Sequence, residues 1–461
     1  MPDAFEPLYT ADEMRAAEER YPRYPESVPE LMERAGTAVA REAMLAFPDA
    51  RRFACVCGGG ANGGDGRIAA RVLREAGHEA QETTEELDDY DVVVDALFGT
   101  GFRGPPRAEA AALIGRITDA RAHVVSVDLP SGVHASTGEV AGAAVEADLT
   151  VTFHAPKVGV AIAPGRYHAG RVVVADIGLE QVETAHRRAS PAILSRVPRR
   201  SAGDTKYTSG SVLVVGGQPG MTGAVALSAR AALRADAGYV ALAVPAASLA
   251  VVETLALEPV KIGWRDADAV DTIARAAERA GAIAIGPGLG RGEERKALVR
   301  ELRSRVGLAA GVDADALFDL EPAARAAPTV LTPHAGELAR LLGTDAAWVG
   351  AHRLEAARTA AERYGAVVLL KGPDTIVAAP GGGVVVCDLG PSSLATAGTG
   401  DVLTGIVAAF LAKGLEPQLA AAAGAVVQQL AAMRVPRRAG LVAGDLLDEL
   451  PAVLDEQPAT A

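Results

Sequence analysis

Three cysteines in 461 residues leave no disulfide framework to build on. Cys55 and Cys57 stand two apart in one apolar run, so on a strand their side chains point in parallel, a poor geometry for a bridge. Cys387 is remote from both. Metal-ligand spacing is missing too: His123, His134, His154 and His168 form no such pattern and are expected to be structural or superficial. Positive charge is scarce, with 45 Lys and Arg against 58 Asp and Glu and a net charge of −13. Non-specific nucleic-acid binding, which needs clustered basic residues, is thereby disfavoured. A phosphate-bearing ligand must then be met locally, by backbone amides and a few cations. No apolar run reaches the ~18 residues of a membrane span. The first thirty residues carry Asp12, Glu13, Glu18 and Glu19 and no hydrophobic segment. No membrane partner and no signal peptide are expected, and the location is read as cytoplasmic.

What is present is globular α/β composition: 49% hydrophobic residues with glycines spaced along the chain. The length predicts more than one domain. Thr10 to Glu13 fits a capping box, and two helices are expected over 10 to 46, the second with Leu31, Ala35, Ala38 and Val39 on one side. Arg52 to Cys57 predicts a strand, followed by CGGGANGGDG (Cys57 to Gly66) and a helix behind it. Strand, glycine turn and helix bring phosphate close to backbone amides. Asp65 fits either a cap on that turn or a functional group. Three further apolar runs end in polar residues: Val92 to Val94 in Asp95, Val124 to Val127 in Asp128 and then Ser131, and Leu149 to Phe153 in His154 to Lys157. In an open parallel sheet the carboxyl ends of strands share one edge, where ligands bind. Lys157 fits either a counter-charge to phosphate or a surface lysine with a solvated head.

The stretch 183 to 205 holds Arg187, Arg188, Arg196, Arg199 and Arg200 with Pro191 and Pro198 and little apolar periodicity. It reads as a polar linker, not a nucleic-acid patch, because no aromatic side chains interleave with the basic ones. A cut near Arg199 is expected to leave two folded pieces. Beyond it, strands again alternate with helices and end in glycine and polar residues: GSVLVVGGQPGMTGA (Gly210 to Ala224), IGPGLG (Ile285 to Gly290), VDADAL (Val312 to Leu317), LTPHAGELARLLG (Leu331 to Gly343) and VVLLKGPDT (Val367 to Thr375). Last comes LATAGTGDVLTG, Leu394 to Gly405, which opens a helix with Leu403, Ile406, Val407, Phe410 and Leu411 on a buried face. Gly398 and Gly400 leave amides uncovered at a helix N-terminus, a ready anion site. Asp401 in that first turn is either an N-cap or a general base acting beside a bound phosphate.

The GTGD turn resembles the anion-hole motif of the ribokinase-like superfamily, and the ordered downstream set is similar to its NAD(P)H-hydrate dehydratase branch. The upstream motifs, NGGDG above all, are similar to the NAD(P)H-hydrate epimerases, so that together the chain resembles the bifunctional NAD(P)H-hydrate repair enzymes over nearly its whole length. The resemblance implies an α/β protein of two domains. Residues 1–182 would be a Rossmann-like α/β/α epimerase domain, 183–205 a linker, and 206–461 a ribokinase-like α/β/α dehydratase domain with a central, largely parallel sheet.

It also implies residue roles. Asn62, Asp95 and Ser131 match potassium ligands. Ala61, Asn62, Gly63, Gly64, Asp65, Gly99, Thr100, Gly101, Phe102, Arg103, Gly104, Pro105 and Asp128 match contacts to the hydrated nucleotide, and Asp128 is favoured as the epimerase acid/base. Ala224, Gly288, His334 and Asp401 match contacts to hydrated nicotinamide nucleotide in the dehydratase. Lys371, Gly372, Pro373, Asp374, Thr375 and Gly400 match contacts to ADP. Three departures stand out: Ala61 where the family has Asn, Thr205-Lys206 for a His-Lys pair, and Pro391-Ser392 for an Asn-Pro pair.

The implied chemistry has Asp401 take the proton from the ring hydroxyl of NADHX or NADPHX, whose oxygen attacks the β-phosphoryl of ADP. Amides of Ala397 to Gly400 stabilise the transferred group, with magnesium screening the nucleotide. Phosphate then leaves carbon, giving NAD(P)H, AMP and phosphate. A homo-oligomer acting on small molecules is expected. The alternative is a small-molecule kinase of the hydroxymethylpyrimidine or sugar type, with a non-catalytic upstream ligand-binding module.

Overall fold

The computed structural model describes residues 3–437 and 439–456. The chain divides into two units: Pro7–His186 with Gly350–His352, and Met1–Glu6 with Arg187–Val349 and Arg353–Ala461. No helix among the described residues is long and apolar enough to cross a membrane.

The upstream unit is a six-stranded sheet in the order Glu79–Glu82, Arg52–Cys57, Val92–Ala96, His123–Val127, Leu149–Phe153, Arg171–Ala175, and every pair is parallel. Side chains alternate across it as the pleat requires. Phe53 and Cys55 pack with Leu31, Val39 and Leu73 of the helices Val28–Ala46 and Ala61–Glu75. Ala54 and Val56 face the opposite way, onto Leu113, Ile114 and Ile117 of the helix Ala108–Asp119. The sheet is therefore covered on both sides. The Thr10–Glu13 capping box is present, with Glu13 N–H donating to Thr10 Oγ1 at 3.2 Å and Thr10 N–H to Glu13 Oε2 at 2.7 Å. All three cysteines are free.

In the downstream unit the order is Phe5–Pro7, His186–Ala189, Val384–Cys387, Thr375–Ala378, Val367–Leu370, Thr329–Leu331, Ala309–Val312, Ala282–Ile285, Ser211–Val215, Tyr239–Pro245, Val260–Trp264. Neighbours from Val367–Leu370 to Val260–Trp264 run parallel. Thr375–Ala378 is antiparallel to both of its neighbours. The helix Thr399–Ala412 is buried nearly all round, from Val402 through Leu411, and not only along the apolar stripe its sequence suggests. Its Gly405 lies so close to the helix Thr222–Arg234 that a Cβ there would stand 2.0 Å from the Ser228 carbonyl oxygen. Only glycine permits that approach.

The stretch 183–205 is not a linker. It supplies the strand His186–Ala189 and the 3-10 helix Pro191–Arg196, and Ala189, Ile193, Leu194 and Val197 are in the downstream core. Polar side chains hide this element: the strand reads HRRA, and Arg188 is spent on ion pairs with Glu6 and Asp388. The domain boundary at residue 1 moves as well, because residues up to Glu6 count with the downstream unit. The expected clean cut near Arg199 is thereby withdrawn. Removing Ile193, Leu194 and Val197 forfeits about 1.5–3 kcal/mol each of apolar burial. A downstream fragment beginning at Lys206 should melt well below one beginning at Glu183; equal melting temperatures would contradict this packing.

Candidate active site

In each sheet the winding reverses once, and ligand crevices form outside strand ends at such points. In the upstream unit the reversal lies between Arg52–Cys57 and Val92–Ala96. The helix there begins at Ala61, directly after Gly60, so NGGDG forms its first turns and does not precede it. Asp65 is no cap, since Gly60 holds that position and no side-chain cap bond is made. A Cβ on Gly63 would lie 1.9 Å from the Gly58 carbonyl oxygen, which ties the helix start to the turn.

A cleft of about 690 Å³ opens at this edge. Ala61, Asn62, Asp65, Asp128 and the run Gly99 to Arg103 line it, together with Glu18, which sequence reasoning missed. Gly63 is buried and Gly64 packs on Met32, while Gly104 and Pro105 are exposed; none of the four is in the lining. Asp65 is 8% exposed, and its Oδ1 is buried without a hydrogen-bond partner. Burial, with Asp128 and Glu18 nearby, pushes its carboxyl up to about 8. Asp128, in the left-handed region at φ 67°, accepts from Thr152 Oγ1 at 2.9 Å and from the Lys157 ammonium. Lys157 is no surface lysine: it is fully buried and also donates to Thr152 Oγ1 and the Phe153 carbonyl.

Beneath the cleft Asp95 is fully buried. Its Oδ1 accepts from Ser131 Oγ at 2.6 Å and Leu97 N–H at 3.3 Å, its Oδ2 from Ser126 Oγ and Ser131 N–H, both at 2.9 Å. Burial raises its carboxyl above the usual range against these neutral donors. Phe98 links the group: its N–H donates to Ser131 Oγ and its carbonyl accepts from Asn62 Nδ2, both at 2.9 Å.

In the downstream unit the reversal lies between Ser211–Val215 and Ala282–Ile285. The loops after these strands are tied together, Gly217 N–H donating to the Pro287 carbonyl at 3.0 Å and Gln218 N–H to that of Gly288 at 2.7 Å. Gly288 has φ 59°, and Ala224 is the third residue of the helix Thr222–Arg234. Gly398, at φ 89°, precedes the helix Thr399–Ala412 and makes no side-chain cap bond, leaving the Gly400 and Asp401 amides without a backbone acceptor among the described residues. The Asp401 carboxylate caps nothing. Burial first and then Asp313 push it up to about 7, against the pull of Lys371. Asp313, which the site reading omitted although VDADAL marked it, is 1% exposed and bridges the site. Its Oδ1 accepts from Lys371 Nζ at 2.8 Å, its Oδ2 from Thr404 Oγ1 at 2.7 Å. Burial works to lower the Lys371 ammonium, but Asp313 and Glu337 outweigh it and hold it raised. A Cβ on Gly400 would lie 3.2 Å from Lys371 Nζ.

His334 does cap a helix: its Nδ1 accepts from Gly336 N–H at 3.0 Å at the start of Ala335–Leu342. Nδ1 is then the acceptor nitrogen, and Nε2 lies 3.5 Å from Glu337 Oε1 on a largely exposed ring. Gly372 and Pro373 are exposed beside Lys371. The side chains of Asp374 and Thr375 are engaged within the protein. The Asp374 carboxylate is fully buried in an ion pair with Arg353, and Thr375 Oγ1 donates to the Gly372 carbonyl at 3.1 Å. Those two side chains hold the loop.

The NAD(P)H-hydrate dehydratase family model matches residues 212–453, and that of the YjeF-related protein N-terminus matches 28–81 and 78–159. A bifunctional NAD(P)H-hydrate repair enzyme of Moorella thermoacetica is 41% identical, with 92% of each chain covered. That of Escherichia coli is 35% identical over 93% of this chain and 90% of its own. This chain belongs to the bifunctional NAD(P)H-hydrate repair enzymes. Within the repair family's downstream half, an ADP/ATP-dependent NAD(P)H-hydrate dehydratase of Bacillus subtilis, co-crystallized with ATP/Mg2+, superposes with a TM-score of 0.53 at 28% identity, covering 57% of this chain and 96% of that one.

Asp313 should tune Asp401. A base must be ionised to act, so dehydration should rise with pH through about 7. Asp313→Asn removes a neighbouring negative charge and should move that limb to lower pH while raising the KM for nucleotide as Lys371 loses its anchor. An unmoved limb in the pH–rate profile would separate Asp313 from the chemistry.

Proposed function

We propose that the chain repairs hydrated NADH and NADPH, its upstream unit interconverting the R and S epimers and its downstream unit dehydrating the S epimer at the expense of ADP. The observation that carries this is Asp401: a carboxylate without a hydrogen-bond partner among the described residues, raised toward neutrality, at a helix N-terminus with open amides. A carboxylate in that setting accepts a proton from a hydroxyl at neutral pH. The hydroxyl oxygen then attacks the β-phosphoryl of ADP, charge on the moving group meeting the Gly400 and Asp401 amides and the Lys371 ammonium. Phosphate departs from the ring carbon with its bonding electrons, the adjacent ring carbon gives up a proton to solvent as its C–H electrons close the double bond, and NAD(P)H, AMP and phosphate result. Nucleotide with magnesium is supported by the B. subtilis relative crystallized with ATP/Mg2+; the choice of ADP is part of the proposal. His334, whose ring is largely exposed, would orient the nicotinamide hydrate.

In the upstream unit Asp128, locked by Lys157 and Thr152, is the acid/base candidate facing the cleft. Asn62, Asp95 and Ser131 would hold potassium. The fit rests on their oxygen donors and on Asp95, a fully buried carboxylate that no cationic side chain among the described residues neutralises. The ion would supply that missing charge beside the substrate. Nucleic acid stays outside this reading on the net charge of −13. A small-molecule kinase would use the same Asp401, but the upstream half, matched to the repair family, gives it no purpose.

The test is an end point. Mixed epimers of hydrated NADPH with ADP, magnesium and potassium should convert completely to NADPH, with equimolar AMP and phosphate. Conversion that halts at the S share would make the upstream unit a scaffold, and phosphate retained on an organic product would restore the kinase. Asp95→Ala should produce that early halt by itself while leaving the rate on the S epimer unchanged.

A further inference from the structure

We infer that a second cavity of the downstream unit takes the far, phosphate-bearing half of the dinucleotide substrate and makes the dehydratase prefer hydrated NADPH over hydrated NADH. The inference rests on the dehydratase reading above. The cavity, of about 510 Å³, lies between the helix Glu293–Arg305 and the segment 315 to 325.

It begins where the nicotinamide end of the substrate would stop. Gly290, two residues past Gly288, is in its wall. So is Asp315, which accepts from Gly290 N–H at 2.9 Å, pairs with Arg291 at 2.8 Å and is also close enough to raise the Asp401 carboxyl. From the His334 side, the helix Ala335–Leu342 carries Arg340, whose guanidinium sits 4.5 Å from the Phe318 ring centre in the same wall. The cavity thus adjoins the catalytic edge.

Its charge is unusual for so acidic a chain. Among the basic wall residues, Arg291 is paired with Asp315, Arg295 with Asp266, and Lys296 with Glu293 and Asp319. Arg300, Arg303 and Arg325 pair with no carboxylate among the described residues, and Glu321 is the one wall carboxylate left without an ion pair. Arg325 spends its N–H groups on carbonyls and on Thr329, so it contributes charge and not free donors. Arg303 uses Nη1 on the Glu321 carbonyl, and among the described residues neither its Nη2 nor Arg300 has a hydrogen-bond partner. Guanidinium groups suit phosphate because their donors are planar and paired. Three of them against one carboxylate call for an anion, and the phosphorylated hydrate brings one phosphate more than the other.

Dehydration with ADP should be measured on S-NADPHX and S-NADHX separately, in the full chain and in Arg300→Gln and Arg300→Gln/Arg303→Gln. The wild type should show the higher kcat/KM on S-NADPHX. Loss of charged contacts to a phosphate should lower that preference roughly tenfold or more in the double variant. The kcat/KM on S-NADHX and the KM for ADP should hold. Arg300→Gln alone, at an exposed side chain with no partner among the described residues, keeps the test free of folding effects and should shift the ratio the same way. An unchanged ratio, or equal losses on both hydrates, would overturn the inference. Wild-type protein that dehydrates neither hydrate would instead overturn the dehydratase reading, and this inference with it.

Discussion

The downstream site depends on one buried bridge, Lys371 to Asp313 to Thr404. Thr404 lies one turn along the helix from Gly400, and Lys371 directly follows the strand Val367–Leu370, so Asp313 clamps helix to sheet edge. Breaking such a buried pair by removing one partner typically costs about 3–5 kcal/mol, because the other charge is left unpaired. Here the bridge also has an electrostatic product. It holds an ammonium beside Gly400, where phosphate charge would gather, and keeps a carboxylate near Asp401 that resists its ionisation. One carboxylate therefore prepares both the anion site and the base.

The upstream site reaches its chemistry by another route. Asp95 has four neutral donors and no cation, whereas Asp128 beside it has a buried lysine. Two acids at neighbouring strand ends are thus given different environments, one suited to holding an ion and the other to facing substrate. The upstream cleft opens at the reversal of strand winding, where ligand crevices form in open parallel sheets.

Much of this could be read from the chain. Apolar runs closing on Asp95, Asp128, Lys371 and the GTGD turn place their polar ends on one edge of a parallel sheet, and the structure has them there. What escaped shares a cause: polar side chains that serve structure. The strands Glu79–Glu82 and His186–Ala189 carry few apolar residues because they need little burial of their own. Lys157 and Asp374 read as surface or ligand-binding groups but are buried against partners distant in sequence, Asp128 and Arg353. Asp313 sat in a recognised motif, yet its role needs Thr404, ninety-one residues on. Spacing cannot show such pairs.

The central claim is that Asp401 is the base. Asn at that position is nearly isosteric, and since among the described residues the carboxylate caps nothing and accepts no hydrogen bond, the fold should be kept. NADPH and AMP release by Asp401→Asn, measured on S-NADPHX with saturating ADP, should fall about a hundredfold to ten-thousandfold. Epimerisation by the same sample should remain at the wild-type rate. Dehydration within a few-fold of wild type would contradict the account.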